Sequence, residues 1–316
     1  MLKSQRCIIF GGGGFIGSHL IEELVKRNYT VVVVSRGSRQ TQKNLHKVKH
    51  KISLIQGDFK YSSILNKTIR ANDIIFDLIT SSLPYSSTKN VYSEIENHIK
   101  PHLNLFKIAT EKKVKKIVFS SSGGGIYKEN NNKLPYTENS ILEPLSPHAI
   151  SKVTLEYFLQ YFARINKTPV MIYRISNPYG PRQVAKNNFG IIPTIFDNVL
   201  SHKKTILFNK GNNVRDFIYI SDLVNAIVKS FDKTTKHCIY NVASSRGTTL
   251  NNLSKMIAKI TGHKPIVGYA EKREIDHYCS VLDTKRLYEE YKWRPLINLE
   301  KGLILTWQSM VERKRF

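Results

Sequence analysis

The chain has 316 residues, of which 49 are Lys or Arg and 24 are Asp or Glu, giving a formal net charge of +25. With 41% hydrophobic and 23% charged residues it has the balance of a folded globule, which excludes a disordered chain. No run nears the roughly 18 apolar residues of a membrane span, and three scattered cysteines fit neither a disulfide framework nor a zinc site. Aromatics do not interleave with the basic clusters at Lys47–Lys51 and Lys112–Lys116, so no nucleic-acid partner is expected. These features read as a soluble, cytoplasmic protein without a metal. Its excess lysines form a solvated surface, or a field felt by an anionic substrate or membrane.

Cys7–Phe10 reads as a short apolar strand, followed by Gly11–Gly14 and a helical pattern with Ile16, Leu20 and Leu24 on one face. Thr30–Val34 is a β-branched run typical of a strand covered on both sides. Further strands are predicted over Ile52–Ile55, Asp73–Ile79, Ile117–Ser121 and Pro169–Ile175, with helices over about Val91–Lys112 and Ala149–Arg164. This alternation predicts an α/β fold, a doubly wound parallel sheet of the Rossmann type. Residues 1–176 are expected to form the dinucleotide-binding domain and residues 177–316 mainly a smaller C-terminal substrate-binding lobe. A strand–helix return to the sheet is expected at about 214–230.

Gly11, Gly14 and Gly17 satisfy G-x-x-G-x-x-G between the first strand and the first helix. In that context the pattern predicts a pyrophosphate cradle in which Phe15 and Ile16 belong to the helix N-terminus. The second strand ends in Ser35-Arg36-Gly37-Ser38-Arg39 with no carboxylate for a ribose 2′-hydroxyl. Arg36 and Arg39 suit a 2′-phosphate instead, so NADP is favoured over NAD. The alternative is that these arginines are merely exposed and NAD binds without its acidic anchor.

Six segments in order resemble the extended short-chain dehydrogenase/reductase family, in its nucleotide-sugar epimerase/dehydratase branch. They are Gly11–Gly17, Gly57-Asp58, Phe119–Tyr127, Ser146–Lys152, Asn177–Arg182 and Arg215–Tyr219, and the resemblance covers nearly the whole chain. In that family a Tyr-x-x-x-Lys pair at the start of a helix and a strand-end Ser or Thr carry the chemistry. Lys152 fits the lysine, and Ser122, with Ser121 close behind, fits the hydroxyl, but the tyrosine position holds His148. A neutral imidazole is a competent base, and a neighbouring Lys152 ammonium disfavours its protonation. Loss of activity at this position is the alternative, as is Tyr127 serving as the acid, although the family gives that tyrosine a structural role. Gly123 and Gly124 stand where sugar dehydratases of the family carry an Asp-Glu pair, so dehydration is not expected.

The resemblance further implies that Asn177, Arg215 and Arg273 contact a nucleoside diphosphate, that Asp276 holds a ribose hydroxyl, and that Asp58 caps the adenine. The loop after the fourth strand, including Ser81, would help orient substrate. Pro101 replaces a small glycine of the family and would bend its helix unless it lies in the first turn. The flanking His98 and His102 are expected at the surface, with a ligand-facing position as the alternative. The function implied is an NAD(P)-dependent epimerase acting at C4 of a nucleotide-diphosphate sugar, in a setting such as polysaccharide precursor synthesis. Open alternatives are an NADPH-dependent 4-keto-sugar reductase, a redox-neutral isomerase or mutase, and a non-catalytic NADP sensor. A homodimer through the helices at Val91–Lys112 and Ala149–Arg164 is expected on the same analogy.

Overall fold

Two compact units make up the chain: Met1–Ser122 with Ser146–Arg174 and Ile227–Tyr240, and Gly123–Leu145 with Ile175–Ala226 and Asn241–Phe316. The computed structural model describes residues 4–80, 82, 84–130, 134–185 and 190–315.

The first unit follows the alternation in the sequence. It runs β1 (Arg6–Phe10), α1 (Phe15–Lys26), β2 (Thr30–Ser35), α2 (Arg39–Leu45), β3 (Ile52–Gln56), α3 (Ser62–Thr68) and β4 (Ile74–Asp77). Short helices α4 (Pro84–Ser87) and α5 (Val91–Glu94) lead to α6 (Lys100–Glu111), β5 (Lys116–Ser122), α7 (Pro147–Asn166) and β6 (Val170–Ile175). From one edge the sheet reads β3, β2, β1, β4, β5, β6, then Ile239–Val242. The pairs β2–β3, β1–β2, β1–β4 and β4–β5 are parallel. Val31–Val34 is buried at every position because helices cover both faces, so the strand shows no alternation. Ile8, Phe10, Val32, Ile75, Phe106, Ile117, Phe119 and Leu155 share one core. Each contributes roughly 1.5–3 kcal/mol on leaving water.

Between α5 and α6 the helix widens into a π turn over Ile95–Ile99, and Pro101 falls in the first turn of α6. Proline has no N–H to give at that point, and the wide turn absorbs the mismatch, so the helix continues past it. His98 and His102 are not at the surface: both are 0% exposed. Their burial rests on polar company that helical periodicity does not reveal. His102 lies against Asp77 and the His98 carbonyl, with Phe59, Phe106 and Phe119 edge-on to its ring.

The remaining elements are β7 (Asn177–Tyr179), α8 (Ile191–Leu200), β8 (Thr205–Phe208), β9 (Val214–Tyr219), α9 (Ile220–Ser230) and β10 (Ile239–Val242). They continue with β11 (Gly247–Thr249), α10 (Leu250–Thr261), β12 (Val267–Ala270), β13 (Cys279–Ser280), α11 (Lys285–Tyr291) and α12 (Leu299–Arg315). β9 does not return to the large sheet: it pairs with β7, β11 and β13, and β10 is the strand that joins the large sheet. Asp216 explains the choice. Its buried carboxylate accepts the Ser244 N–H at 2.8 Å, the Ser244 hydroxyl at 2.7 Å and the Ser245 N–H at 3.0 Å, which ties β9 to the loop before β11. The rings of Phe217 and Tyr219 pack on Tyr179 of β7. Among the described residues no helix is long and apolar enough to cross a membrane, and no group of three or more His, Cys, Asp or Glu side chains is placed to hold a metal ion.

Candidate active site

The strand order reverses between β1 and β4, the place where open α/β sheets bind dinucleotides at their carboxyl edge. The glycine loop after β1 has the shape that role needs. Gly11 sits at φ +79, and a Cβ on Gly17 would stand 2.5 Å from the Gly11 carbonyl oxygen. Gly14 caps α1 with no side-chain bond, and the first turn holds no acidic residue, so the amides of Phe15, Ile16 and Gly17 suit an anion. Asn44 fixes the loop by donating to the Gly13 carbonyl at 2.9 Å. At the end of β2, the Ser35 hydroxyl meets that of Thr41 at 3.1 Å, and Arg36 and Arg39 are exposed. Asp58, after β3, accepts the Lys60 N–H at 3.1 Å. The cradle fits a dinucleotide.

The start of α7 is set locally. Ser146 caps it by accepting the Ala149 N–H at 3.2 Å, and Pro147 occupies the first turn, where its missing N–H costs nothing. His148 and Lys152 therefore stand one turn apart on one face. Lys152, 2% exposed, donates to the Ser120 carbonyl at 2.8 Å and the Ile79 carbonyl at 3.4 Å, and lies 4.8 Å from the centre of the Phe119 ring. Burial pulls its ammonium down to about 8 against the upward pull of Asp77, Glu156 and Glu94. His148 is buried, with Nδ1 3.1 Å from the Ser82 hydroxyl, and its N–H donates to the Ser87 hydroxyl at 3.1 Å. Burial, then the Lys152 charge, lower its imidazole to about 3, so it is neutral at physiological pH. Burial and Lys152 also push His98 down, and its ring centre is 6.1 Å from that of His148.

Three serines end β5, and their surroundings separate them. The Ser120 hydroxyl donates to the Asp77 carbonyl at 3.1 Å. The Ser121 hydroxyl donates to Glu156, which is paired with Arg174 at 2.7 Å inside the core. Ser122 is the one not fully buried. Ser81 lies outside the described residues. Its neighbour Ser82 is the hydroxyl found at His148, a contact that only the serine-rich end of the Thr80–Tyr85 stretch hinted at.

In the second unit Asn177 and Arg215 stand on paired strands, Asn177 opposite Phe217. Asn177 donates to the Asp216 carbonyl at 3.0 Å, and Arg215 donates to the Val214 and His277 carbonyls at 2.9 Å each. Arg273 and Asp276 hold each other in a two-pronged ion pair at 2.7 and 3.0 Å, with the guanidinium 4.1 Å above the Phe208 ring. Tyr127 donates its hydroxyl to Asn241 at 2.6 Å and stacks on Tyr136, which fits a structural role.

The sequence model of the NAD dependent epimerase/dehydratase family matches residues 7–243. The solved structure of UDP-glucose 4-epimerase with UDP-glucose from Thermotoga maritima matches with a TM-score of 0.91 at 30% identity, covering 98% of this chain and 100% of that one. UDP-glucose 4-epimerase of Thermus thermophilus, solved with NAD, matches with a TM-score of 0.88 at 26% identity over 97% of this chain and 99% of its own. The dTDP-4-dehydro-6-deoxyglucose reductase of Escherichia coli is 28% identical over 305 residues, which are 95% of this chain and 96% of that protein.

Proposed function

The chain belongs to the NAD-dependent epimerase/dehydratase family, and from that premise we propose that it is a nucleotide-sugar epimerase acting at C4 of an NDP-sugar. The observation that carries this reading is the buried Lys152 ammonium, held at the carboxyl edge of the sheet one helical turn from His148. Gly11, Gly14, Phe15, Ile16 and Gly17 would hold the pyrophosphate of a nicotinamide dinucleotide, Asp58 the adenine and Lys152 the nicotinamide ribose. Bound there, such a cofactor would supply a reversible hydride acceptor for the sugar carbon. Ser35, Arg36 and Arg39 would take its 2′-phosphate, making NADP the preferred form, because cationic forks and no carboxylate end β2.

His148 then serves as the proton acceptor in place of a phenol. An imidazolium beside Lys152 is costly, so the neutral ring, oriented at Nδ1 by the Ser82 hydroxyl, holds the sugar's proton only until it is returned to the same oxygen. Ser122 hydrogen-bonds the reacting hydroxyl, and Ser81 belongs to the loop that orients it. Asn177, Arg215 and Arg273 neutralise the diphosphate, and Asp276 holds a ribose hydroxyl. Gly123 and Gly124 bring no acid or base for an elimination, so dehydration finds no support.

One observation favours a second reading, an NADPH-dependent 4-keto-sugar reductase: the arginines after β2 suit the reducing cofactor, and the E. coli reductase is a relative of nearly equal length. In either case α7 exposes Ile150, Tyr157, Phe158, Tyr161 and Ile165 at helical spacing, and α5 and the π turn expose Val91, Tyr92 and Ile95. Such a stripe supports a homodimer packed through these helices. The deciding experiment identifies the nucleotide released on denaturing the purified protein, and then assays UDP-glucose alone and a dTDP-4-keto-6-deoxy sugar with NADPH. Tightly held NADP+ and conversion of UDP-glucose to its C4 epimer, with no net cofactor change, is the expected result. Stoichiometric NADPH consumption would establish the reductase, and no turnover of either sugar would remove both readings.

A further inference from the structure

The segment before β13 carries a buried histidine whose ring has nothing to bond to. Its main chain is held: the His277 carbonyl accepts from Arg215 at 2.9 Å, and Glu129 accepts the Cys279 N–H at 3.0 Å. His277 is 3% exposed, yet among the described residues neither ring nitrogen makes a hydrogen bond. Burial lowers its imidazole below the usual histidine range, against the Glu129 charge and the Tyr127 main chain, while Arg215 and Lys272 lower it further. Leaving such a ring unpaired in the interior costs free energy that an aliphatic side chain would not.

The ring faces bare backbone. Among the described residues, and apart from its chain neighbours, a Cβ on Gly125 would meet one heavy atom within 4 Å, His277 Nδ1 at 3.8 Å. A Cβ on Gly124 would likewise meet only Asn177 Oδ1, also at 3.8 Å. Neither glycine lies at positive φ, so the backbone does not demand glycine at either place. What they leave is room. The Ser280 hydroxyl donates to the Gly123 carbonyl at 3.3 Å, which ties the glycine strip to the segment that carries His277.

We propose that His277 is a substrate-binding residue: its ring hydrogen-bonds an oxygen of the glycosyl diphosphate over the bare Cα of Gly125. The inference deepens the nucleotide-sugar reading and rests on it. The neighbours name the ligand, because Arg215 grips the His277 carbonyl and Asn177 stands over the next glycine, and that reading gives both to the diphosphate. Such a ligand offers hydroxyl and phosphoryl oxygens, and a ring N–H can donate to either.

Calorimetric titration of the full chain with UDP, dTDP, UDP-glucose and dTDP-glucose tests this. His277→Leu should weaken binding of a nucleotide sugar by about tenfold while the melting midpoint holds or rises, since an unpaired polar group leaves the interior. His277→Asn, whose amide can stand where Nδ1 stood, should restore most of the affinity. A loss confined to the glucose compounds assigns the bond to a sugar hydroxyl, and an equal loss for UDP or dTDP assigns it to a phosphoryl oxygen. Gly125→Val fills the strip with a side chain whose Cβ meets nothing nearer than 3.8 Å, and should weaken the same ligand in a folded protein. Unchanged affinities in a folded His277→Leu would overturn the proposal, and a lowered melting midpoint beside them would mark the ring as structural. Should His277→Leu fail to fold, Gly125→Val decides alone. A parent chain that binds none of the four ligands would sink the nucleotide-sugar reading and this inference with it, whereas binding that the variants leave intact removes the inference only.

Discussion

The Lys152 ammonium and the Ser120 carbonyl oxygen meet at 2.8 Å, a helix side chain bonded to the main chain of a strand end. A charge taken so far from water costs free energy that two carbonyls only partly return. On the proposed reading of the site, that cost is borne for chemistry and not for stability.

Replacing Lys152 with Met should therefore separate the two. Turnover of the sugar falls by about 10²-fold or more, the order for misplacing a reacting group, since Lys152 is read as the holder of the nicotinamide ribose. The thermal midpoint holds or rises, because the thioether fills the volume with no charge to desolvate. Steady-state kinetics and a melting curve check both halves, and a large loss of stability would show that the ammonium is structural.

Acid should unfold the protein early. His148 titrates near 6.5 in the unfolded chain and is held at about 3 in the fold, and His98 moves the same way. Between these pH values the unfolded chain binds more protons, so the stability these rings contribute is complete above about 6.5 and is lost as pH falls toward 3. Each ring accounts for about 1.4 kcal/mol per pH unit inside that window. Urea midpoints measured from pH 7 to pH 4 should fall steeply, and His148→Phe should flatten the slope.

Gly17→Ala tests the cradle. The new methyl would stand 2.5 Å from the Gly11 carbonyl oxygen and 2.7 Å from the Gly12 Cα, main-chain atoms that can yield only by opening the loop. A stability loss of roughly 1–3 kcal/mol is expected. The larger effect falls on NADP+ affinity, which calorimetric titration would show reduced at least tenfold, about 1.4 kcal/mol. Unchanged affinity would mean that the dinucleotide does not lie on this loop.

Tyr157→Glu with Tyr161→Glu places two charges on the exposed stripe of α7, where both rings already face outward. If two copies meet there, the double variant sediments as a monomer with its circular dichroism intact. A variant that sediments like the parent chain would leave the stripe without that role.

Much of this was legible in the chain. Val31–Val34 and the glycine spacing marked the parallel sheet and the loop after its first strand, since both are local signals that no distant residue alters. The family motif over Ser146–Lys152 placed His148 and Lys152 together, although the helix begins at Pro147 and not at the expected Ala149. What stayed hidden depends on partners remote in sequence. His98 and His102 read as polar surface because nothing nearby reveals Asp77 or the aromatic rings that receive them. Ser121 looked interchangeable with Ser122 until the Glu156–Arg174 pair claimed it. The apolar run of β9 marked a strand, but Asp216, bound to Ser244 and Ser245, decided which sheet it joined.

The π turn at Ile95–Ile99 holds one residue more than an α-helical turn. Deleting a single residue there would swing α5 by about 100° around the helix axis relative to α6. Tyr92 would turn toward the core and Glu94 toward water, while His102 kept its place. The span from Glu94 to His102 is thus a gauge of fixed length: shortened by one residue, it forfeits either the Ser151–Glu94 bond or the His102–Asp77 couple.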